Sequence, residues 1–180
     1  IHFFDSDDYI ENNMVEKLSK IIDREDVDII IFSFYEDIFN SNGDQISSVI
    51  RKSPVIGICK DEPFKKNFDK IANSYLLFHK LFRRTLIENK KIRFSDKKIG
   101  EDGVFFTQVY SQSPKCLVGI EDAFYHYTES RDGSASNSYH PERVNDNFYL
   151  SNAIDNVVKE WGVDSDPFYK NTVYFCKVLD

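Results

Sequence analysis

The 180 residues contain only three cysteines, Cys59, Cys116 and Cys176, widely spaced and without a CxxC pair. Such an odd, scattered set argues against a disulfide framework and a structural zinc site, and points to a reducing compartment. Basic charge is also short, since 23 Lys and Arg face 30 Asp and Glu for a net charge of -7. A general nucleic-acid binder needs basic surface to displace counterions from phosphates, so nucleic acid is not an expected partner. No apolar run approaches the roughly 20 residues that cross a bilayer, and no secretory signal pattern opens the chain. Internal repeats, low-complexity tracts and an obvious linker are missing as well. These absences leave a globular protein, expected in the cytoplasm.

What is present suffices for a proper core: 41% of the residues are apolar and 15% aromatic. The length suits one domain or a large part of one. Phe3 and Phe4 read as an apolar, strand-like stub, and a chain that begins at Ile1 inside such a stub is expected to continue upstream. Met14, Leu18, Ile21 and Ile22 recur at helical spacing. Asp26 to Tyr35 is β-branched and aromatic, too short for a helix, and reads as a buried strand. Ser41-Asn42-Gly43-Asp44 marks a turn, and the prolines and glycine between Ser53 and Pro63 predict an irregular or short-stranded stretch. Phe64 to Phe82 carries Phe68, Ile71, Tyr75, Leu76 and Phe78 at helical spacings and predicts a helix. Shorter helices are expected over Arg83 to Asn89 and Glu101 to Ser111. Cys116 to Tyr127 reads as a strand, and Phe148, Leu150, Ile154, Val157, Val158 and Trp161 predict a C-terminal helix.

Four clusters carry chemistry. Asp5-Ser6-Asp7-Asp8 places three carboxylates within four positions. Carboxylates so close repel unless a hard cation or a set of donors neutralises them, and Mg²⁺ or Mn²⁺ shared with substrate phosphates is one solution. A solvated turn, with Asp8 near the start of the following helix, is the other. A basic stretch from His79 and Lys80 through Arg83-Arg84, Lys90-Lys91, Arg93 and Lys97-Lys98 suits an anionic ligand or a solvated helix face. Glu101-Asp102 opens a predicted helix, where acids favour the dipole but are also held rigidly enough for general-base work. Finally, Phe124-Tyr125-His126-Tyr127 runs into a polar loop containing Arg131 and Ser134, a composition shared by phosphate-binding loops and ordinary surface loops.

Together and in this order, the clusters resemble family 2 glycosyltransferases of the GT-A fold, of the bacterial type that builds surface polysaccharides or decorates glycans. The resemblance rests on Asp5 to Ile10 after an apolar strand, the Lys80 to Arg84 element, Glu101-Asp102 before the aromatic Phe105, and Tyr125 and Tyr127 followed by Arg131 and Ser134. It extends from Ile1 to about Ser138. A nucleotide-binding half that such enzymes carry upstream, with Pro-x-Tyr-Asn and Asp-Asp-Gly-Ser segments, has no counterpart here.

The resemblance implies a partial GT-A α/β fold, a mixed sheet with flanking helices and a helical C-terminus. Residues 1-138 would be the acceptor-side half of the domain and 139-180 its C-terminal helical segment. The parent enzyme would transfer a sugar, with inversion, from a nucleotide diphosphate donor, expected to be a UDP-sugar, to a glycan or lipid-linked saccharide acceptor. Asp7 would hold Mn²⁺ or Mg²⁺, Asp5 would contact ribose or the metal shell, and Arg131 with Ser134 would bind the diphosphate. Asp102 would be the general base with Glu101 in support, and Lys80 and His79 are candidates on the acceptor side. The enzyme would work in the cytoplasm or at the inner face of the membrane, and the surface left by a missing half is expected to self-associate. Two alternatives remain open: a non-catalytic glycan-binding or assembly module, and a haloacid-dehalogenase-like phosphatase, whose pattern fits poorly because Asp8 and Tyr9 follow the second Asp.

Overall fold

Residues 1–71, 74–96, 100–129 and 141–162 are described by a computed structural model, in two compact units. One unit combines Ile1–Lys60, Leu77–Arg83 and Cys116–Tyr139; the other combines Asp61–Leu76, Arg84–Lys115 and His140–Asp180.

The first unit is organised by two long parallel strands, β2 (Ile29–Phe39) and β6 (Cys116–Glu129). Each is flanked on its outer edge by two short strands. Beside β6 lie β4 (Gly57–Lys60) along its first part and β1 (Tyr9–Ile10) along its second, both antiparallel. Beside β2 lie β5 (Lys80–Phe82) along its first part and β3 (Gln45–Arg51) along its second, again antiparallel. The result is the expected mixed sheet, six-stranded among the described residues.

Burial explains why β2 is central. Ile29 to Phe34 are all buried, as expected for a strand paired on both edges and covered on both faces. Helix α1 (Met14–Ile22) sets Met14 and Leu18 into one core cluster with Ile30, Phe32, Phe34, Phe78, Val118 and Phe124. The β2–β3 hairpin turns where the sequence signals it: the Asn40 side chain accepts from the Asn42 and Asp44 N–H groups, and Gly43 supplies a positive φ of 86°. Strand β3 itself was not signalled, because all but Ser47 of its residues are exposed and little apolar pattern remains to read.

Two expectations are corrected. Phe64 to Phe82 is not one helix: α2 (Pro63–Lys66) and α3 (Phe68–Ile71) are single turns, and the segment ends in strand β5. Tertiary pairing overrides the helical spacing, since Lys80, Leu81 and Phe82 complete the edge of β2. Phe3 and Phe4 likewise lie outside any strand. Ladder pairing at the chain start is confined to one antiparallel bridge, His2 to Leu81, with Ile1 exchanging two hydrogen bonds with Phe82.

A polar pair lies inside this core. His79 is 3% exposed and Lys80 fully buried. The His79 Nδ1–H donates to the Phe32 carbonyl at 2.9 Å, and the Lys80 ammonium donates to His79 Nε2 at 2.8 Å. Burial, reinforced by the Lys80 charge, holds the imidazole pKa well below its ordinary value.

The second unit is helical among its described residues, adding α4 (Arg84–Asn89), α5 (Glu101–Ser111) and α6 (Arg143–Trp161). Phe68, Val104, Leu150, Ile154 and Val158 form its apolar cluster, and Tyr110 ties Phe64, Phe106 and Trp161 together through ring contacts of 5.4 to 5.9 Å.

Two glycines are predicted to behave differently. A Cβ on Gly119 would sit 2.0 Å from the Val55 carbonyl oxygen, which is backbone, whereas one on Gly103 would meet the tip of the flexible Leu150 side chain at 2.9 Å. Urea denaturation should show Gly119→Ala destabilised by about 3 kcal/mol or more. Gly103→Ala should change stability by less than about 1 kcal/mol, because helix propensity offsets the crowding. A second expectation concerns acid. A buried neutral histidine with a depressed pKa binds fewer protons than its unfolded counterpart, so stability is lost as pH falls below the ordinary histidine value of about 6.5. Replacing His79 with Gln should flatten that part of the stability–pH curve.

Candidate functional site

The alternation of β6 builds the site. In Tyr125-His126-Tyr127-Thr128, successive side chains take opposite faces of the sheet. Tyr125 and Tyr127 stack on Phe78, with ring centroids 4.7 and 5.1 Å away. His126 takes the other face, between Tyr9 of β1 at 4.1 Å and Tyr35 of β2 at 4.3 Å, in a cross-strand stack of three rings.

The acidic turn docks on this part of β6. Asp8 is its anchor: Oδ2 accepts from the Tyr125 hydroxyl at 2.6 Å and Oδ1 from the Thr128 N–H at 2.9 Å. The same Tyr125 oxygen accepts from the Asp5 N–H at 3.2 Å, the Thr128 hydroxyl donates to the Asp7 carbonyl at 3.3 Å, and the turn closes through Asp8 N–H to the Asp5 carbonyl at 3.2 Å. Burial and the Asp8 carboxylate raise the Tyr125 phenol pKa, so it remains a proton donor. Asp8 is thus tied to β6 through both carboxylate oxygens, while Asp5 and Asp7 are solvent-exposed.

Just beyond the turn lies a network that the sequence reading missed. Asp37 is completely buried. Its Oδ2 accepts from the Tyr9 hydroxyl and from His126 Nδ1–H, each at 2.7 Å, and its Oδ1 accepts from the Gln45 amide at 3.0 Å. Burial by itself raises a carboxyl pKa, but here the bonds from Ser48, Tyr9 and His126 outweigh it and hold Asp37 below the usual range. Tyr9 moves the other way, pushed up to about 12 by desolvation and its bond to Asp37. The second His126 nitrogen faces Glu11 Oε1 at 3.2 Å. A usable signal was present: Asp37 is an acid at i+2 from Tyr35 in a strand that is otherwise almost wholly apolar or aromatic, where a buried charge needs partners.

Of the residues singled out by sequence, Asp5 and Asp7 lie exposed on the turn, and His79 is paired with Lys80 in the core. Glu101 and Asp102 form the first turn of α5 in the second unit, after Gly100 in a left-handed conformation with φ 71°. Arg131 and Ser134 lie outside the described residues. Among the described residues, no group of three or more His, Cys, Asp or Glu side chains converges as a metal cage would. The donor chemistry at the turn still fits Mg²⁺ or Mn²⁺, since one or two carboxylates plus substrate phosphates and water are a usual ligand set for a hard cation. No helix among the described residues is long and apolar enough to cross a membrane.

No protein-family model matches the chain. Over 150 residues, 76% of this chain and 20% of the other, it is 29% identical to Glycosyltransferase GlyA of Streptococcus pneumoniae serotype 4. Among solved structures, S. aureus TarS 1–349 in complex with UDP-GlcNAc has a TM-score of 0.62 at 18% identity, covering 98% of this chain and 51% of that one. The complex of the same protein with UDP gives a TM-score of 0.59 at 20% identity, covering 96% and 44%. The chain spans about one fifth of its curated relative and about half of the TarS chain. It is similar in sequence to part of a glycosyltransferase, and its mixed α/β architecture is the fold of part of TarS.

Proposed function

We propose that the chain is the acceptor-side part, with a metal-binding turn, of an inverting, family 2 type glycosyltransferase that uses a UDP-sugar and a glycan or lipid-linked saccharide acceptor. The observation that carries this reading is the division within the acidic turn: Asp8 is consumed in holding it, while the Asp5 and Asp7 side chains face solvent. A merely solvated turn has no need of a fully bonded third acid to fix its direction. The crystallisation of TarS with UDP-GlcNAc and with UDP supports a uridine nucleotide as the donor.

In this mechanism Asp7 and Asp5 would hold the Mn²⁺ or Mg²⁺, which would supply charge neutralisation for the departing diphosphate. Asp102 accepts the acceptor hydroxyl proton on a carboxylate oxygen. The freed oxygen attacks the anomeric carbon from the face opposite the diphosphate, whose bond to that carbon breaks, so the configuration inverts. Glu101 supports Asp102 and orients the acceptor. Arg131 and Ser134 donate to diphosphate oxygens. Lys80 and His79, being buried, serve the acceptor side by holding β5 in place. The setting is the cytoplasm or the inner membrane face, in the synthesis of bacterial surface polysaccharide.

Full-length protein incubated with UDP-sugars and Mn²⁺ tests the reading. Asp102→Asn should lower kcat by about 10²- to 10⁴-fold. Asp7→Asn should abolish Mn²⁺-dependent turnover, and chelation of the wild type should do the same reversibly. Wild-type turnover in either variant would refute the assignment, and retained glycan binding by an Asp102→Asn protein from a wild type without turnover would favour a binding module. Asp8→Asn should behave in the opposite sense. It places an amide donor against a hydroxyl or N–H, so it should cost about 1 to 3 kcal/mol of stability in urea denaturation.

A further inference from the structure

The strand that follows the acidic turn is very short. Strand β1 has two residues, and its ladder to β6 matches only Tyr9 with His126 and Ile10 with Tyr125. So brief a ladder is a weak constraint on the direction of the turn. The fold adds a second constraint from side chains, on the face opposite the Tyr125 anchor. The Tyr9 hydroxyl is bonded to Asp37, its ring lies 4.1 Å from His126, and His126 is itself fixed by Asp37 on one nitrogen, by Glu11 on the other, and by the Tyr35 ring. Tyr9 and Glu11 bracket β1, so this network grips the segment leaving the turn at two points. Asp37 can act as a rigid post because it is wholly buried and accepts bonds from Tyr9, His126 and Gln45 on a strand paired on both edges.

We infer that His126 and Asp37 are positioning residues for the proposed donor site: by clamping Tyr9 and Glu11 they fix the direction in which Asp5 and Asp7 present their carboxylates to a metal-bound diphosphate. The inference rests on the donor-site reading above. It differs from a purely structural role because ligands that must meet a small cation at fixed distances are sensitive to the partners that orient them.

The test uses the full-length protein, with Mn²⁺ and UDP as probes, in wild type, Asp37→Asn, His126→Phe and Tyr9→Phe. Asp37→Asn sets an amide donor against Tyr9, His126 or Gln45, and His126→Phe keeps a ring in the stack but removes both ring nitrogens. Tyr9→Phe removes a single hydroxyl from a half-exposed ring, and keeps the test open if a core variant does not fold. Calorimetry should show UDP affinity in the presence of Mn²⁺ falling about tenfold in the folded variants. Hydrogen exchange at residues 5–9 should quicken while the amides of β2 keep their wild-type protection. Wild-type affinity in the variants overturns the inference, whether or not exchange quickens. Exchange that quickens equally throughout β2 also overturns it, since the effect is then global. A wild-type protein that binds no UDP with Mn²⁺ overturns the donor-site reading and this inference with it, an outcome distinct from a wild type that binds and variants that bind equally.

Discussion

Everything described in the first unit depends on the parallel pairing of β2 with β6. Parallel neighbours cannot be joined by a tight hairpin, so the chain between them must make a long excursion. Here it includes β3, β4, β5 and helices α2 to α5 before β6 begins at Cys116. Pairing in this sense also places the later halves of both strands at the same end of the sheet. Tyr35 and Asp37 of β2 therefore stand beside His126 and Thr128 of β6, and the acidic turn has a prepared surface to dock on. Clefts at the carboxyl ends of parallel strands are a recurrent place for ligands, because the strands supply rigid positions and the loops supply chemistry.

The three acids of the turn illustrate how an identical residue type is given different work by its surroundings. Asp8 receives a phenol and a backbone N–H, which satisfies its charge inside the protein. Asp5 and Asp7 lie exposed to solvent on the same turn. The network behind Tyr9 follows the same principle at greater depth. Asp37 carries its charge in the core because bonds from neighbouring strands offset its desolvation. By comparison, exposed ion pairs such as Lys17 with Asp122 and Lys20 with Glu16 contribute little, being open to water and salt.

Much of the architecture was legible from residue pattern. The apolar run through Ile31 and Phe32 marked the central strand, Met14 and Leu18 marked α1, and Glu101 to Ser111 became α5 with the expected bounds. Failures came where local pattern and tertiary demand disagreed. Tyr75, Leu76 and Phe78 fall at helical spacings with Phe68 and Ile71, yet the following residues are needed to close the edge of β2. Strand β3 escaped notice because an outer strand exposed on both faces carries little hydrophobic alternation, and its pairing with β2 comes from the Asn40 to Asp44 turn.

The candidate site divides in the same way. Sequence by itself named the candidate groups, since closely spaced carboxylates after aromatic residues, an acid pair opening a helix and a scarcity of basic charge are properties of residue type and order. Only the tertiary structure decided which acid is an anchor and which are presented to solvent, because that depends on Tyr125 and Thr128, more than a hundred positions away from Asp8. It also decided that Asp37, His126 and Tyr9 act together. Strand pairing and the two-residue period of the sheet bring these three onto one face, and no local pattern encodes which strands become neighbours.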